Sequence, residues 1–256
     1  MSVFLCCVFF ATGCAVGGLG RPDARSEVVQ GVLPSVVELI FERDEVAVRF
    51  ASGVVVGAEA RSPAGPPASW VLTSAHAVVG PTVARAALVI RYQDDAGAAH
   101  RAPGVVEAAD AKNDLALVRV DGLRLPAARL GDGRVGVRLG DDVVVIGAPF
   151  GRGVSVSSGI VSQLETRHPD GRRTLEPLLK VDAPVGYGSS GGGVFHVSTG
   201  RLLGIVEGYR TATVSLKLAG EPYSFQVPMP GETFVVRAAE IRRFLGERGF
   251  DRLLTD

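Results

Sequence analysis

Beyond Cys14 the chain has no cysteine; the three it carries, Cys6, Cys7 and Cys14, all fall in its first fourteen residues. That absence excludes a disulfide framework and a thiolate-based metal site for everything downstream. A domain of this size then depends on its apolar core for stability. An excess of charge is missing too: 27 Lys plus Arg balance 27 Asp plus Glu. Such balance argues against a nucleic-acid-binding surface or a polybasic membrane face. Histidine and carboxylate residues show no metal-ligand spacing, so no metal or cofactor is expected. Internal repeats, heptads and low-complexity tracts are also lacking.

What is present is apolar residues at 46%, charged residues at 21% and 33 glycines in 256 residues, with Val, Ile and Leu prominent. That mixture predicts short strands joined by tight turns. Strands are expected at 36–41, 46–50, 52–57, 70–73, 87–92, 104–108 and 114–120. After a Gly/Pro-punctuated connection over 122–139 they resume at 143–146, 154–164, 178–181, 193–195, 202–206 and 223–227. The one helical stripe is Ile241, Phe244 and Leu245, at i, i+3, i+4 among charged neighbours. The fold class read from this pattern is all-β, of the barrel or sandwich kind, ending in a helix. The expected organisation is a leader at 1–14, a polar linker at 15–32 and one domain at 33–250. That domain divides into lobes at about 33–121 and 139–230 and a terminal helix at about 237–248.

Residues 1–20 carry no charge. An apolar stretch, Val3 to Phe10, is followed by small residues, as in an export signal. The segment Ala11-Thr12-Gly13-Cys14 resembles the lipobox of bacterial lipoproteins, which implies lipidation of Cys14 and attachment to a membrane. An ordinary signal peptide is the other reading. Both predict an exported protein, periplasmic or membrane-anchored.

The densest chemical signal is the run Gly186-Tyr187-Gly188-Ser189-Ser190-Gly191-Gly192-Gly193. A tight glycine turn holding a serine suits an exposed nucleophile with backbone N–H groups converging on one point. Upstream, Thr73-Ser74-Ala75-His76 ends a buried strand and Asn113-Asp114-Leu115-Ala116-Leu117 begins another. In this order, His76…Asp114…Ser190, the three segments resemble a trypsin-fold serine protease of the HtrA/Deg type, over about residues 33–228.

The resemblance implies two six-stranded antiparallel β-barrels with a cleft between them and polypeptides as substrates. It implies His76 as general base, Asp114 as its orienting carboxylate and Ser190 as nucleophile. The backbone of Gly188, Ser189 and Ser190 would form the oxyanion hole. The specificity pocket would map to Val185, Glu207, Gly208, Tyr209 and the strand around Gln226. Ser189 stands where the HtrA type usually has asparagine and digestive proteases have aspartate, which argues against zymogen activation of the digestive kind by a newly cleaved N-terminus. No peptide-binding (PDZ) module is expected after the domain, and trimers occur among HtrA-type proteins. Damaged or unfolded envelope proteins are the implied targets, and an inactive protease-fold binding module is the alternative. The Gly-x-Ser-x-Gly elbow of α/β-hydrolases is also matched. That reading requires a histidine well downstream of the serine, and only His196 follows.

Overall fold

The computed structural model describes residues 23–59, 65–94, 96–132, 137–166, 178–218 and 221–254. The leader, Cys14 and His168 lie outside them. Asp23 accepts the Ser26 N–H at 2.7 Å and so caps α1 (Ala24–Val32), within the segment expected to be a linker. Its last residue, Val32, is buried in the main core.

The first lobe contains β1 (Val36–Arg43), β2 (Val46–Gly57), β3 (Ala68–Thr73), the one-turn helix α2 (Ala75–Val78) and β4 (Ala87–Gln93). It continues with β5 (Ala99–Pro103), β6 (Val105–Asp110) and β7 (Leu115–Asp121). Asp44 and Glu45, both at positive φ, make the two-residue β1–β2 turn, a geometry whose twist matches that of the flanking strands. β2 runs through Gly53 without turning, and Val71 and Leu39 press against that position and leave no room for a side chain. Hydrogen bonding links seven strands in the order β5-β4-β1-β2-β3-β7-β6. This lobe therefore has one strand more than the six expected, β5 being the addition, and its ladder is an open sheet.

The second lobe contains β8 (Asp142–Gly147), β9 (Ser155–Thr166), β10 (Leu178–Val181), β11 (Gly193–His196), β12 (Leu202–Leu218) and β13 (Glu221–Arg237). These six close into a barrel in the order β10-β13-β12-β11-β8-β9. Helix α3 (Ala238–Glu247) follows, with Ile241, Phe244 and Leu245 buried as the stripe predicted.

The lobes share one core. Val54, Trp70, Leu72, Leu115 and Leu117 of the first pack in the same cluster as Ile146, Phe195, Leu202, Ile205 and Phe234 of the second. Each lobe also keeps a private cluster on its far side. The architecture is the expected trypsin-like pair of β lobes with a terminal helix.

Candidate active site

Each functional side chain is positioned by a strand end on the shared side of the lobes. β3 is buried throughout and ends at Thr73. Ser74 then takes the extended conformation of a helix N-cap, and α2 places His76 in the cleft. The Ser74 hydroxyl donates to the Val206 carbonyl of the other lobe at 3.0 Å, which ties the histidine turn across the cleft.

Asp114 enters from the β6–β7 turn. Asp110 builds that turn: one carboxylate oxygen accepts the Lys112 N–H at 2.9 Å and the Asn113 N–H at 3.3 Å. The other accepts the Asn113 side-chain amide at 2.7 Å. Partial burial pushes the Asp110 carboxyl up, but these bonds, the Asn113 side chain first, outweigh it and hold the group below the usual carboxylate value. Asp114 itself sits at φ 54°, a left-handed conformation that aspartate and asparagine tolerate better than most residues. Its carboxylate accepts the His76 backbone N–H at 2.8 Å and meets His76 Nδ1 at 2.7 Å. Two bonds to one residue fix both the position and the rotation of the ring. A carboxylate only accepts, so the proton sits on Nδ1 and leaves Nε2 with a lone pair. That lone pair faces Ser190 Oγ at 3.0 Å.

The serine turn is shaped by its glycines. Gly188 is at φ +91° and Gly191 at φ +84°. A Cβ on Gly191 would lie 2.2 Å from the Ser52 carbonyl and 2.3 Å from Thr73 Oγ1, so only glycine fits. The Tyr187 carbonyl accepts the Phe150 N–H at 2.8 Å. In a planar trans peptide the next N–H points the opposite way, so the Gly188 N–H is turned back from the Phe150 side. Neither it nor the Ser190 N–H has an acceptor among the described residues. Ser189 departs from expectation: its N–H donates to the Gly186 carbonyl at 3.0 Å and closes the turn, so it is not a free oxyanion donor.

Sequence reasoning missed Ser52, which is fully buried. Its hydroxyl donates to the Gly188 carbonyl at 2.7 Å and accepts the Ala148 N–H at 2.7 Å. Its own N–H donates to the Ser190 carbonyl at 2.9 Å, and its carbonyl accepts the Thr73 hydroxyl at 2.7 Å. One residue thus joins the histidine strand, the serine turn and the end of β8. A serine inside an apolar strand, Ala51-Ser52-Gly53-Val54, gives no signal of this beyond being polar where its neighbours are not. Beside it in the β1 register lies Glu38, buried and paired with Arg91. Burial pushes the Glu38 carboxyl up, with Arg91 opposing.

A cavity of about 300 Å³ adjoins the serine turn, lined among others by Val185, Gly186, Ser189, Phe150, Ser157 and Pro228. Glu207, Gly208 and Tyr209 continue β12 past Val206, with Glu207 buried, but they do not line this cavity. Gln226 is a correction. It is exposed on an extension of β13, donates to Thr213 Oγ1 at 2.8 Å, and does not line this cavity. The β13 residues opposite Gly208 and Tyr209 are instead Phe234 and Thr233. His100 pairs with Asp94 and His196 with Asp141, both apart from the triad.

This fold and this nucleophile turn define a class. The model of the trypsin-like peptidase domain family matches residues 51–205, more than half of the chain, and the chain belongs to that family. It is homologous to the HtrA/DegP serine proteases. A probable periplasmic serine endoprotease DegP-like of Pseudomonas putida (strain W619) is 30% identical over 164 residues, 64% of this chain and 30% of that protein. Its counterpart in Halomonas elongata (strain ATCC 33173 / DSM 2581 / NBRC 15536 / NCIMB 2198 / 1H9) is 34% identical over 136 residues, 53% of this chain and 26% of that one. The chain thus spans less than a third of either relative. Among solved structures, the HtrA-type protease AlgW with tripeptide superposes with a TM-score of 0.63 at 27% identity. The match covers 89% of this chain and 65% of that one.

Proposed function

We propose that the chain is a serine endopeptidase in which Ser190 attacks, His76 carries the proton and Asp114 orients His76. The observation that carries this reading is the unbroken relay Asp114 Oδ2–His76 Nδ1 at 2.7 Å and His76 Nε2–Ser190 Oγ at 3.0 Å. The chemistry runs in two halves. Ser190 Oγ bonds to the scissile carbonyl carbon as its proton passes to His76 Nε2. The imidazolium so formed is stabilised by the Asp114 carboxylate. Charge developing on the carbonyl oxygen is met by the Gly188 and Ser190 N–H groups. The C–N bond then breaks as His76 returns the proton to the leaving amine. Water, deprotonated by the same imidazole, cleaves the acyl ester and restores Ser190.

The substrates we infer are polypeptides, unfolded or damaged ones of the cell envelope. The periplasmic naming of the relatives and the uncharged leader support an exported location, with Cys14 as the lipidation site. A fluorophosphonate probe tests the central point. Wild type should label and hydrolyse casein, and Ser190→Ala should do neither, whereas Ser189→Ala should do both. A wild type that fails to label despite a cooperative thermal transition would make the chain an inactive relative.

A further inference from the structure

Glu38 is a carboxylate in the middle of an apolar strand, Val36-Val37-Glu38-Leu39-Ile40-Phe41, and only 1% of its side chain is exposed. Val37, Leu39 and Phe41 face the private core of the first lobe, so Glu38 lies on the other face with Val36, which belongs to the shared core. A charge in such a place is kept only with a partner. Among the described residues its counter-charge is Arg91, directly across from it on β4. On its other side Glu38 is in register with Ser52 of β2. Residues directly opposite in an antiparallel sheet share a face, so Arg91, Glu38 and Ser52 make one row across three strands.

That row grips a single turn of the second lobe, Pro149–Gly151. Ser52 Oγ accepts the N–H of Ala148, just before the turn, at 2.7 Å. Arg91 Nη2 donates to the carbonyl of Gly151, at the far end of the turn, at 3.4 Å. The same nitrogen is paired with Glu38 Oε2, and its two hydrogens allow one for each acceptor. The buried carboxylate thus keeps a long side chain from swinging into solvent.

The turn needs holding from outside. Phe150 sits at φ 58°, ψ 15°, a left-handed conformation that a bulky residue adopts only when its surroundings impose it. Phe150 is 58% exposed, so burial of its ring does not impose it. The turn's own backbone bonds are long, 3.5 Å from the Gly151 N–H to the Ala148 carbonyl and 3.3 Å from the Arg152 N–H to the Pro149 carbonyl. Yet the Phe150 N–H is what holds the Tyr187 carbonyl, at 2.8 Å. The other end of that planar peptide is the Gly188 N–H. A Cβ on Gly188 would lie 3.0 Å from the Phe150 nitrogen, so the two turns are in direct contact.

Resting on the proposed endopeptidase reading, we propose that Arg91, anchored by Glu38, is a positioning residue for the oxyanion donor Gly188. Arg91 fixes Gly151, and Ser52 fixes Ala148. Between them Phe150 is held so that the Tyr187–Gly188 peptide offers its N–H to the cleft. The ion pair belongs to the first lobe and the donor to the second, so the docking of one lobe on the other sets the donor.

The test is the full-length variant Glu38→Gln with Arg91→Met, which removes both charges at similar volume and leaves no carboxylate buried alone. Glu38→Leu with Arg91→Met repeats it in apolar form, a replacement that often leaves a buried pair no less stable. Arg101→Met, opposite Arg91 on β5 and paired with Glu42, is the control. An oxyanion donor acts on the transition state rather than on the bound peptide. Either double variant should therefore lose roughly 10–100-fold in kcat on a chromogenic tripeptide, up to the loss known for one such donor. KM should stay within about twofold of wild type, and the control should match wild type in both. In a Ser190→Ala background, which needs no catalysis, hydrogen exchange at the Phe150 amide should quicken by roughly tenfold or more. The β8 amides of Val144 and Val145 should keep their rates. A lowered Tm with kcat near wild type would make Arg91 a prop of the fold alone and overturn the proposal. A raised KM at constant kcat, or unchanged exchange at Phe150, overturns it as well. A wild type that neither labels with phosphonate nor hydrolyses the tripeptide sinks the endopeptidase reading instead, and the exchange comparison still decides whether Arg91 holds the turn.

Discussion

Removing the Ser52 hydroxyl should disable the site without touching the triad. Ser52→Ala deletes the donor to the Gly188 carbonyl and the acceptor of the Ala148 N–H, both at 2.7 Å in a fully buried position. Each stranded backbone group costs about 1–3 kcal/mol, so the pair amounts to roughly 2–6 kcal/mol. If that cost fell wholly on stability, Tm would drop by roughly 4–24 °C for a chain of this size. We expect part of it to appear in catalysis instead. The Gly188 peptide would be free to relax, and its N–H would no longer be aimed at the developing oxyanion. Complete loss of one such donor costs about 10²–10³ in kcat, which sets the ceiling, and a tenfold to hundredfold fall is expected. The assay is kcat and KM on a chromogenic tripeptide, corrected for active sites by phosphonate titration, beside a thermal melt. A lowered Tm with kcat within about twofold of wild type would refute the reasoning, because Ser52 would then support the fold and not the oxyanion donors.

The carboxylate can be tested at fixed backbone shape. Asparagine tolerates the φ of 54° at position 114, so Asp114→Asn should fold normally yet lose roughly 10⁴ in kcat by favouring the wrong imidazole tautomer; a near-normal rate would exclude Asp114 from the relay. Asp110→Ala should cost about 1 kcal/mol in urea melts through the lost turn bonds and lower kcat far less than Asp114→Asn. The Asp110 carboxyl is depressed in the folded protein, so its contribution is fully present above the ordinary aspartate value of 3.8 and disappears as pH falls through the lower folded value. Melts of wild type and Asp110→Ala should therefore converge only below about pH 4. In a bacterial host the full chain should incorporate labelled palmitate and Cys14→Ser should not; unlabelled wild type would leave an ordinary export signal.

The juxtaposition of His76, Asp114 and Ser190 is legible because each sits at a strand end with a local signature: Thr-Ser-Ala-His, Asp-Leu-Ala-Leu, and a serine in a glycine run. What surrounds it was less so, for physical reasons. Asp110 reads as an ordinary loop carboxylate until the turn it holds is seen beneath Asp114. Ser52 acts only through groups contributed by β3, β8 and the serine turn, and no local pattern encodes a tertiary junction. Gln226 is assigned to the pocket by resemblance alone, and Pro222, Pro228 and Pro230 hide from the sequence the single 17-residue strand that carries it. Those prolines are tolerated because residues 221–230 of β13 pair with no strand other than β12 among the described residues. Helix α1 was hidden by its polar composition, with one capping aspartate as its only sequence mark.

The common core under both lobes bears on how this chain would respond to being nicked. Leu117 and Trp70 pack in the same cluster as Phe195 and Ile205, and Ser52 and Ser74 lace the halves together above it. A single cut after Gly131 and short of Asp142 would interrupt the polypeptide while leaving Ala128 and Leu130 of that connection in the cluster. The two fragments would stay mated, separating only in denaturant, and would still hold His76 against Ser190. Self-cleavage there would leave two bands on a gel and one working cleft in solution.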